Sequence, residues 1–235
     1  MSAMLEVRGV VGGYEDIGVL HGVDLEVHEG EVVGLLGPNG HGKSTLLKAI
    51  SGIHPATGGE IRFQGEDITG LPAHEIVERG IAYIAEERFL FADMPVLENL
   101  QLGAWIPRAR ARYRENLEMV YELFPRLRER ERQHCSTLSG GEAQMVAIAR
   151  GLMSGARMLL IDEPSIGLSP GLKKGVYESI ERINRETGIT VLLVEQEIDY
   201  ALRLAKRIYL LKRGRIEFEQ PAAEADVGAI HEAYF

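Results

Sequence analysis

The run Gly37-Pro38-Asn39-Gly40-His41-Gly42-Lys43-Ser44-Thr45 leaves the chain little choice of fold. It fits Gly-x-x-x-x-Gly-Lys-Ser/Thr, and its flanks supply the context that this pattern needs. Residues 31–36 read as a buried strand, and Leu46, Leu47 and Ile50 recur at helical spacing up to a stop at Gly52. A strand feeding a tight glycine loop and then a helix is a phosphate cradle. The glycines let successive backbone N–H groups and the positive end of the helix dipole converge on one phosphate. Lys43 adds a point charge and Ser44 a hydroxyl suited to magnesium, while His41 contributes its backbone N–H and can point its side chain outward, the alternative being a ring that titrates close to the phosphates. A glycine turn that merely caps a helix accounts for the glycines but not for the Lys-Ser pair.

With 235 residues and 45% hydrophobic content, the chain can bury a full core. Its apolar runs fall well short of the roughly 20 residues that cross a bilayer. Met1-Ser2-Ala3-Met4 leads straight into a strand-like segment without a signal-peptide pattern, so a cytosolic protein is expected. Cys135, the single cysteine, reads as an ordinary reduced thiol. A formal net charge of -9 opposes a large phosphate-backbone footprint, and nucleic acid is not the expected partner.

Residues 4–11 and 19–27 look like strands joined by a connection at 12–16, which suits an antiparallel layer. Tyr14 in that connection can either pack or offer its ring to a purine. Residues 61–64 alternate like another strand, 71–79 are helical up to Gly80, and 81–85 return to strand. From Glu86 to Gly155 the β-branched runs disappear and Arg, Glu and Leu dominate, which predicts a helical insert. Leu117, Val120, Tyr121 and Phe124 form an apolar stripe there, and Pro125 should interrupt it. Eight arginines from Arg108 to Arg132, interspersed with glutamates, read as a solvated charged face rather than a nucleic-acid arm. The remainder alternates helix (171–186), strand (189–194), helix (198–205), strand (207–212) and hairpin (214–219). Such alternation predicts a mainly parallel sheet covered by helices.

Met158-Leu159-Leu160-Ile161 runs into Asp162-Glu163. A parallel sheet carries active groups at the carboxyl ends of its strands, so Asp162 is expected to face the same magnesium as Ser44, with Glu163 beside an attacking water. Thr137-Leu138-Ser139-Gly140-Gly141-Glu142-Ala143-Gln144 opens a helix that runs through Val146, Ile148, Ala149 and Leu152. Ser139 and Glu142 make a capping box. Gly140 and Gly141 are expected to leave the helix terminus bare of side chains, so that it can also meet a phosphate from outside. A second phosphate site needs a second nucleotide or a second chain.

With the cradle, the Asp-Glu strand and this Leu-Ser-Gly-Gly-Glu in that order, the chain resembles the nucleotide-binding domains of ABC transporters along essentially its whole length. The resemblance implies a single α/β ABC ATPase domain over 1–235. A P-loop NTPase core with a mainly parallel sheet and an N-terminal antiparallel β layer would occupy 1–85 and 156–235, and an inserted helical subdomain 86–155. ATP and Mg2+ are the implied ligands. Tyr14 would stack on adenine, Gly37 to Thr45 would hold the phosphates, and Ser44, Glu86 and Asp162 would lie on the metal side. Glu163 would be the general base, with Gln196 in the same catalytic set. The family works as a head-to-tail pair, so Ser139, Gly140 and Gly141 would close over the γ-phosphate held by a second ATPase subunit, identical or not. Closure would drive two integral-membrane permease subunits, supplied by a substrate-binding protein. That places the protein in the cytoplasm, peripheral on the inner face of a membrane.

Glu86-Glu87-Arg88, Asn99-Leu100, Glu163-Pro164-Ser165-Ile166-Gly167-Leu168 and Leu193-Val194-Glu195-Gln196 are more narrowly similar to the ATPases of branched-chain amino-acid importers, and amide and urea importers share much of the pattern. Glu86 stands at the usual glutamine, Ser169 at the usual aspartate and Gln196 at the usual histidine, as in that subfamily. His41 and Ala85 are unusual even there. The expected function is ATP hydrolysis that powers import. The alternative is an ABC-type subunit that closes on ATP as a regulatory switch and hydrolyses little, because glutamine is a poorer charge relay than histidine.

Overall fold

The computed structural model describes residues 3–15 and 17–234. Strands β3 (Val32–Leu36), β7 (Met158–Asp162) and β8 (Thr190–Glu195) are buried along their whole length. Their Val, Leu and Ile runs are what a parallel sheet covered on both faces requires. Together with β6 (Ile81–Ile84), β9 (Arg207–Lys212) and β10 (Arg215–Pro221) they form a six-stranded sheet in the order β10-β9-β3-β8-β7-β6. Its pairings are parallel except that of β9 with β10. The parallel sheet read from the sequence is thus observed.

A second, antiparallel sheet in the order β2-β1-β4-β5 combines β1 (Ala3–Tyr14), β2 (Ile17–His28), β4 (Gly58–Phe63) and β5 (Glu66–Asp67). Helix α1 (Lys43–Ile50) packs between the sheets. Its Leu46, Leu47 and Ile50 are fully buried in one cluster with Leu5 and Leu20 of one sheet and Val33 and Leu35 of the other. Burying each such side chain contributes roughly 1.5–3 kcal/mol, so the helix that opens at the cradle is gripped from both sides. The first hairpin departs from the expected loop. Gly12, Gly13 and Tyr14 continue β1, because register shifts after Val7 and at Gly12 and Gly13 keep the strands paired as far as Tyr14 opposite Ile17. Asp16, assigned to the connection, lies outside the described residues.

Helix α2 (Ala73–Arg79) precedes β6, and five α-helices separate β6 from β7: α3 (Val96–Gly103), α4 (Pro107–Ala111), α5 (Tyr113–Leu123), α6 (Pro125–Glu129) and α7 (Gly140–Met153). Pro125 interrupts the apolar stripe and takes the first position of α6, where its missing N–H removes no intrahelical bond. Val120, Tyr121, Phe124 and Leu127 share a core cluster with Val146 and Leu152 of α7. The arginines of this region meet glutamates: Arg112 pairs with Glu115 at 2.8 Å, Arg130 with Glu142 at 2.9 Å, and Arg128 with Glu118. After β7 come α8 (Pro170–Thr187), α9 (Ile198–Leu204) and α10 (Val227–Tyr234), the last seating Ile230 in a small cluster with Leu36, Ile208 and Leu210. Among the described residues no helix is long and apolar enough to cross a membrane.

Candidate functional site

Because β8 lies between β3 and β7, the carboxyl ends of the three strands bring Gly37, Asp162-Glu163 and Glu195-Gln196 to one edge of the sheet. Gly37 leaves β3 at φ 156, and a Cβ there would fall 2.2 Å from the Leu211 carbonyl oxygen. Gly42, at φ 105, closes the loop under Leu20 and Val19. A larger residue is strained at both positions. Lys43 is 4% exposed, and its ammonium donates to the carbonyl oxygens of Gly37 at 2.7 Å and Pro38 at 3.1 Å and pairs with a Glu163 carboxylate oxygen at 3.2 Å. His41 turns to Arg213, whose N–H donates to its Nδ1 at 3.3 Å. Desolvation and then the charges of Lys43, Arg213 and Lys212 lower its pKa.

The Ser44 hydroxyl donates to Asp162 Oδ1 at 3.0 Å, and the Tyr83 hydroxyl donates to Oδ2 at 2.8 Å. Burial raises the Asp162 pKa, these two hydrogen bonds oppose it, and the Glu163 charge adds to it. The chain then turns at Glu163 with φ 43, an uncommon backbone for a glutamate, and the Glu163 N–H donates to the Val194 carbonyl at 3.0 Å. The turn carries one carboxylate oxygen to Lys43 and the other to the Gln196 side-chain amide. Strain of this kind costs of order 1–3 kcal/mol and gathers at working sites. Glu86 lines the same cleft of 390 Å³, with Tyr14, Asn39, Gly40 and Thr45 among the other lining residues. Its pKa is raised by burial first and then by the Glu163, Glu87 and Asp162 charges. Tyr14 has one ring face covered by His54, at 4.6 Å between centroids and 25° between planes.

Ser139, Gly140 and Gly141 do not line this cleft. The capping box forms: the Glu142 N–H donates to Ser139 Oγ at 3.4 Å, and the Ser139 N–H donates to the Glu142 carboxylate at 3.0 Å. Ser139 is exposed at this terminus, but the glycines do not stand in open space. A Cβ on Gly140 would meet Leu168 at 2.9 Å and one on Gly141 would meet Leu172 at 3.0 Å, because the turn after β7 and the start of α8 pack beside them. Arg88 ties these parts together. Its Nε donates to Gln144 of α7 at 2.8 Å and its guanidinium also to the Ile166 carbonyl at 3.3 Å.

Ser44 and Asp162 offer hard oxygens side by side, with Glu86 in the same cleft. That donor set suits Mg2+, which takes few protein ligands and completes its shell with water and phosphate oxygens. No group of three or more His, Cys, Asp and Glu side chains able to hold a metal occurs among the described residues. Asp162 is a buried carboxyl whose anion is disfavoured, and a divalent cation is what restabilises such a group.

Three residues that the sequence reading did not single out belong to the surroundings. Tyr83 is one, and Tyr234 is another: its hydroxyl accepts the Gly37 N–H at 3.1 Å. The third is Glu195, 2% exposed, whose carboxylate accepts from the Tyr177 hydroxyl and from the backbone N–H groups of Gln196 at 3.1 Å and Glu197 at 3.4 Å. Burial pushes its pKa up to about 7, against these hydrogen bonds and helped by the Glu163 charge. A folded-state pKa above the unfolded value means stability that is present at low pH and lost as pH rises through about 7. Glu195→Gln is therefore expected to gain roughly 3 kcal/mol on the wild type between pH 5 and pH 8. Thermal unfolding of both proteins across that range checks the slope, and parallel curves refute it.

The sequence model of the ABC transporter family matches residues 20–166. The chain is 46% identical over 220 residues to the high-affinity branched-chain amino acid transport ATP-binding protein BraG of Pseudomonas aeruginosa, covering 94% of each chain. It is 35% identical to the probable branched-chain amino acid transport ATP-binding protein LivF of Archaeoglobus fulgidus, covering 94% of this chain and 93% of the relative. Among solved structures it is similar, at 28% identity and a TM-score of 0.78, to the dimeric post-hydrolysis state of an ATP-binding cassette bound to ADP and Pi. That likeness covers 93% of this chain and 99% of the other.

Proposed function

Since this chain belongs to the ABC transporter family, we propose that it is the ATP-hydrolysing subunit of an importer for branched-chain amino acids. The observation that carries the reading is the meeting of Lys43, Ser44, Asp162, Glu163 and Gln196 at one sheet edge. The relatives in Pseudomonas aeruginosa and Archaeoglobus fulgidus support the substrate class.

Within the loop Gly37 to Thr45, backbone N–H groups from Asn39 onward cradle the ATP phosphates, and Lys43 exchanges its two carbonyl contacts for phosphate oxygens. Ser44 and Asp162, with Glu86 in the same cleft, would hold Mg2+, which would supply positive charge against the phosphates. Tyr14, backed by His54, stacks on the adenine. Glu163 takes a proton from the attacking water, and the Gln196 amide fixes its carboxylate. Ser139, Gly140 and Gly141 of a second subunit complete the γ-phosphate site, a pairing supported by the dimeric cassette.

The permease partners need a surface of their own, and a groove of 510 Å³ that shares no lining residue with the ATP cleft offers one. It is lined by Ile53, Ile84, Phe89, Phe91, Leu102 and Arg150, with Phe89 66% and Phe91 52% exposed. Exposed aromatic area of this kind marks a protein contact. The test is reconstitution with the two membrane subunits and a substrate-loaded binding protein. ATP-dependent uptake of leucine, competed by isoleucine and valine, is the expected result. Uptake of urea or short amides instead overturns the substrate class, and absence of turnover in the full assembly favours the switch. In the same assembly Phe89→Glu is expected to lower uptake by roughly tenfold or more while ATP affinity stays within about twofold, because a charge in an apolar contact costs several kcal/mol there and nothing in the ATP cleft.

A further inference from the structure

Behind Gln196 lies a buried carboxyl that the hydrolytic steps above do not use. Glu195 closes β8 opposite Leu36, the last residue of the strand that leads into the cradle. Its Oε2 accepts the N–H groups of Gln196 at 3.1 Å and Glu197 at 3.4 Å, so one oxygen fixes two successive peptides at the point where the chain leaves the strand. Its Oε1 is held by the Tyr177 hydroxyl. Tyr177 is 3% exposed, its ring is stacked on Tyr200 of α9 at 4.1 Å and 15°, and its hydroxyl also interacts with Ser165 in the turn after Glu163. The nearby ammonium of Lys173 is paired with Glu197 rather than with Glu195. A carboxyl buried among a phenol and two amides, with no ion pair of its own, is a costly way merely to fill space.

From this arrangement we propose that Glu195, held by Tyr177, is a positioning residue for hydrolysis: it fixes the turn that aims the Gln196 amide at Glu163. The inference rests on the hydrolytic reading and assigns Glu195 no contact with ATP. Gln196 reaches Glu163 through a side chain with freely rotating bonds, so the direction of that reach is set by the peptide that carries it. Glu195 holds that peptide. Tyr177 joins the same hold to the turn of Ser165, and the bearers of Glu163 and Gln196 are thereby tied through one hydroxyl.

The experiment is ATP turnover by the reconstituted transporter. Glu195→Ala is expected to lower kcat about tenfold, as misplacement of a positioned group does, with KM for ATP within about twofold of the wild type. Glu195→Gln, which keeps an acceptor for the two N–H groups and a polar partner for Tyr177, is expected to recover most of the loss. Because Glu195 acts through Gln196, Glu195→Ala combined with Gln196→Ala should be no slower than Gln196→Ala alone. Should Glu195→Ala fail to fold, Tyr177→Phe keeps the stacked ring and removes only the hydroxyl, and it should lower kcat about threefold with the same non-additivity. A double variant whose loss is the product of the two single losses overturns the proposal. So does Glu195→Ala or Tyr177→Phe with wild-type kcat, or Glu195→Gln as slow as Glu195→Ala. A wild-type transporter that hydrolyses no ATP fails the hydrolytic reading itself, an outcome visible before any variant is compared.

Discussion

Glu163→Gln is expected to slow ATP hydrolysis by roughly 10²- to 10⁴-fold, the usual contribution of a general base. An amide matches the carboxylate in shape but cannot take the proton of the attacking water. Nucleotide should still bind, because the cradle, Lys43, Ser44 and Asp162 are untouched. On the proposed pairing, ATP that binds and is not consumed would hold two subunits together, so the variant should become dimeric with ATP and magnesium and stay monomeric with ADP. Light scattering during size exclusion measures this, with Glu163→Gln combined with Ser139→Arg as the control that blocks the interface. Hydrolysis at the wild-type rate would remove Glu163 from the role of base. A variant that binds ATP yet stays monomeric would leave pairing dependent on the membrane subunits.

Lys43→Ala is expected to weaken MgATP binding by roughly 10²-fold, since hydrogen bonds to charged groups contribute about 1.5–3 kcal/mol each and Lys43 supplies more than one. The same substitution has a second effect. The Lys43 and Glu163 side chains are 3% and 7% exposed, so removing the ammonium leaves a buried carboxylate unpaired, which typically costs about 3–5 kcal/mol of stability. Adding Glu163→Gln should restore most of that stability and none of the affinity. Titration calorimetry and thermal unfolding of the single and double variants separate the two effects. Unchanged affinity in Lys43→Ala would remove the basis of the nucleotide reading.

The cradle was legible because strand, loop and helix are contiguous in sequence, and local patterning suffices for contiguous elements. The approach of Asp162 to Ser44 was legible for a different reason: parallel strands end at one edge, so an acid closing an apolar run is delivered there wherever it stands in the chain. Tyr83 gave no such signal. Alternation along β6 assigns its side chain to a face but names no partner, and the 2.8 Å contact with Asp162 exists only because β6 pairs with β7. The left-handed turn at Glu163 was equally silent, since residue type would have favoured glycine or asparagine there. Glu195 did carry a signal, because it closes an apolar strand as Asp162 does, yet only the fold shows that Tyr177 meets it. The terminus of α7 was legible in part: Ser139 is exposed there, but two glycines imply open space until Leu168 and Leu172 arrive from another segment.

The position of β3 in the sheet bears on how the protein is made. Its neighbours are β8 and β9, with Val32 opposite Val191 and Gly34 opposite Ile208, so the strand that carries the cradle finds its partners only among residues synthesised long after it. At about 5–20 residues per second the ribosome needs roughly 10–30 s between the two events. During that interval Val33, Leu35 and Leu36, fully buried in the finished protein, have no sheet to enter. Pairing across such a separation in sequence is also slow for reasons of loop closure. The nascent chain therefore carries its cradle sequence well before the sheet that positions the cradle is complete.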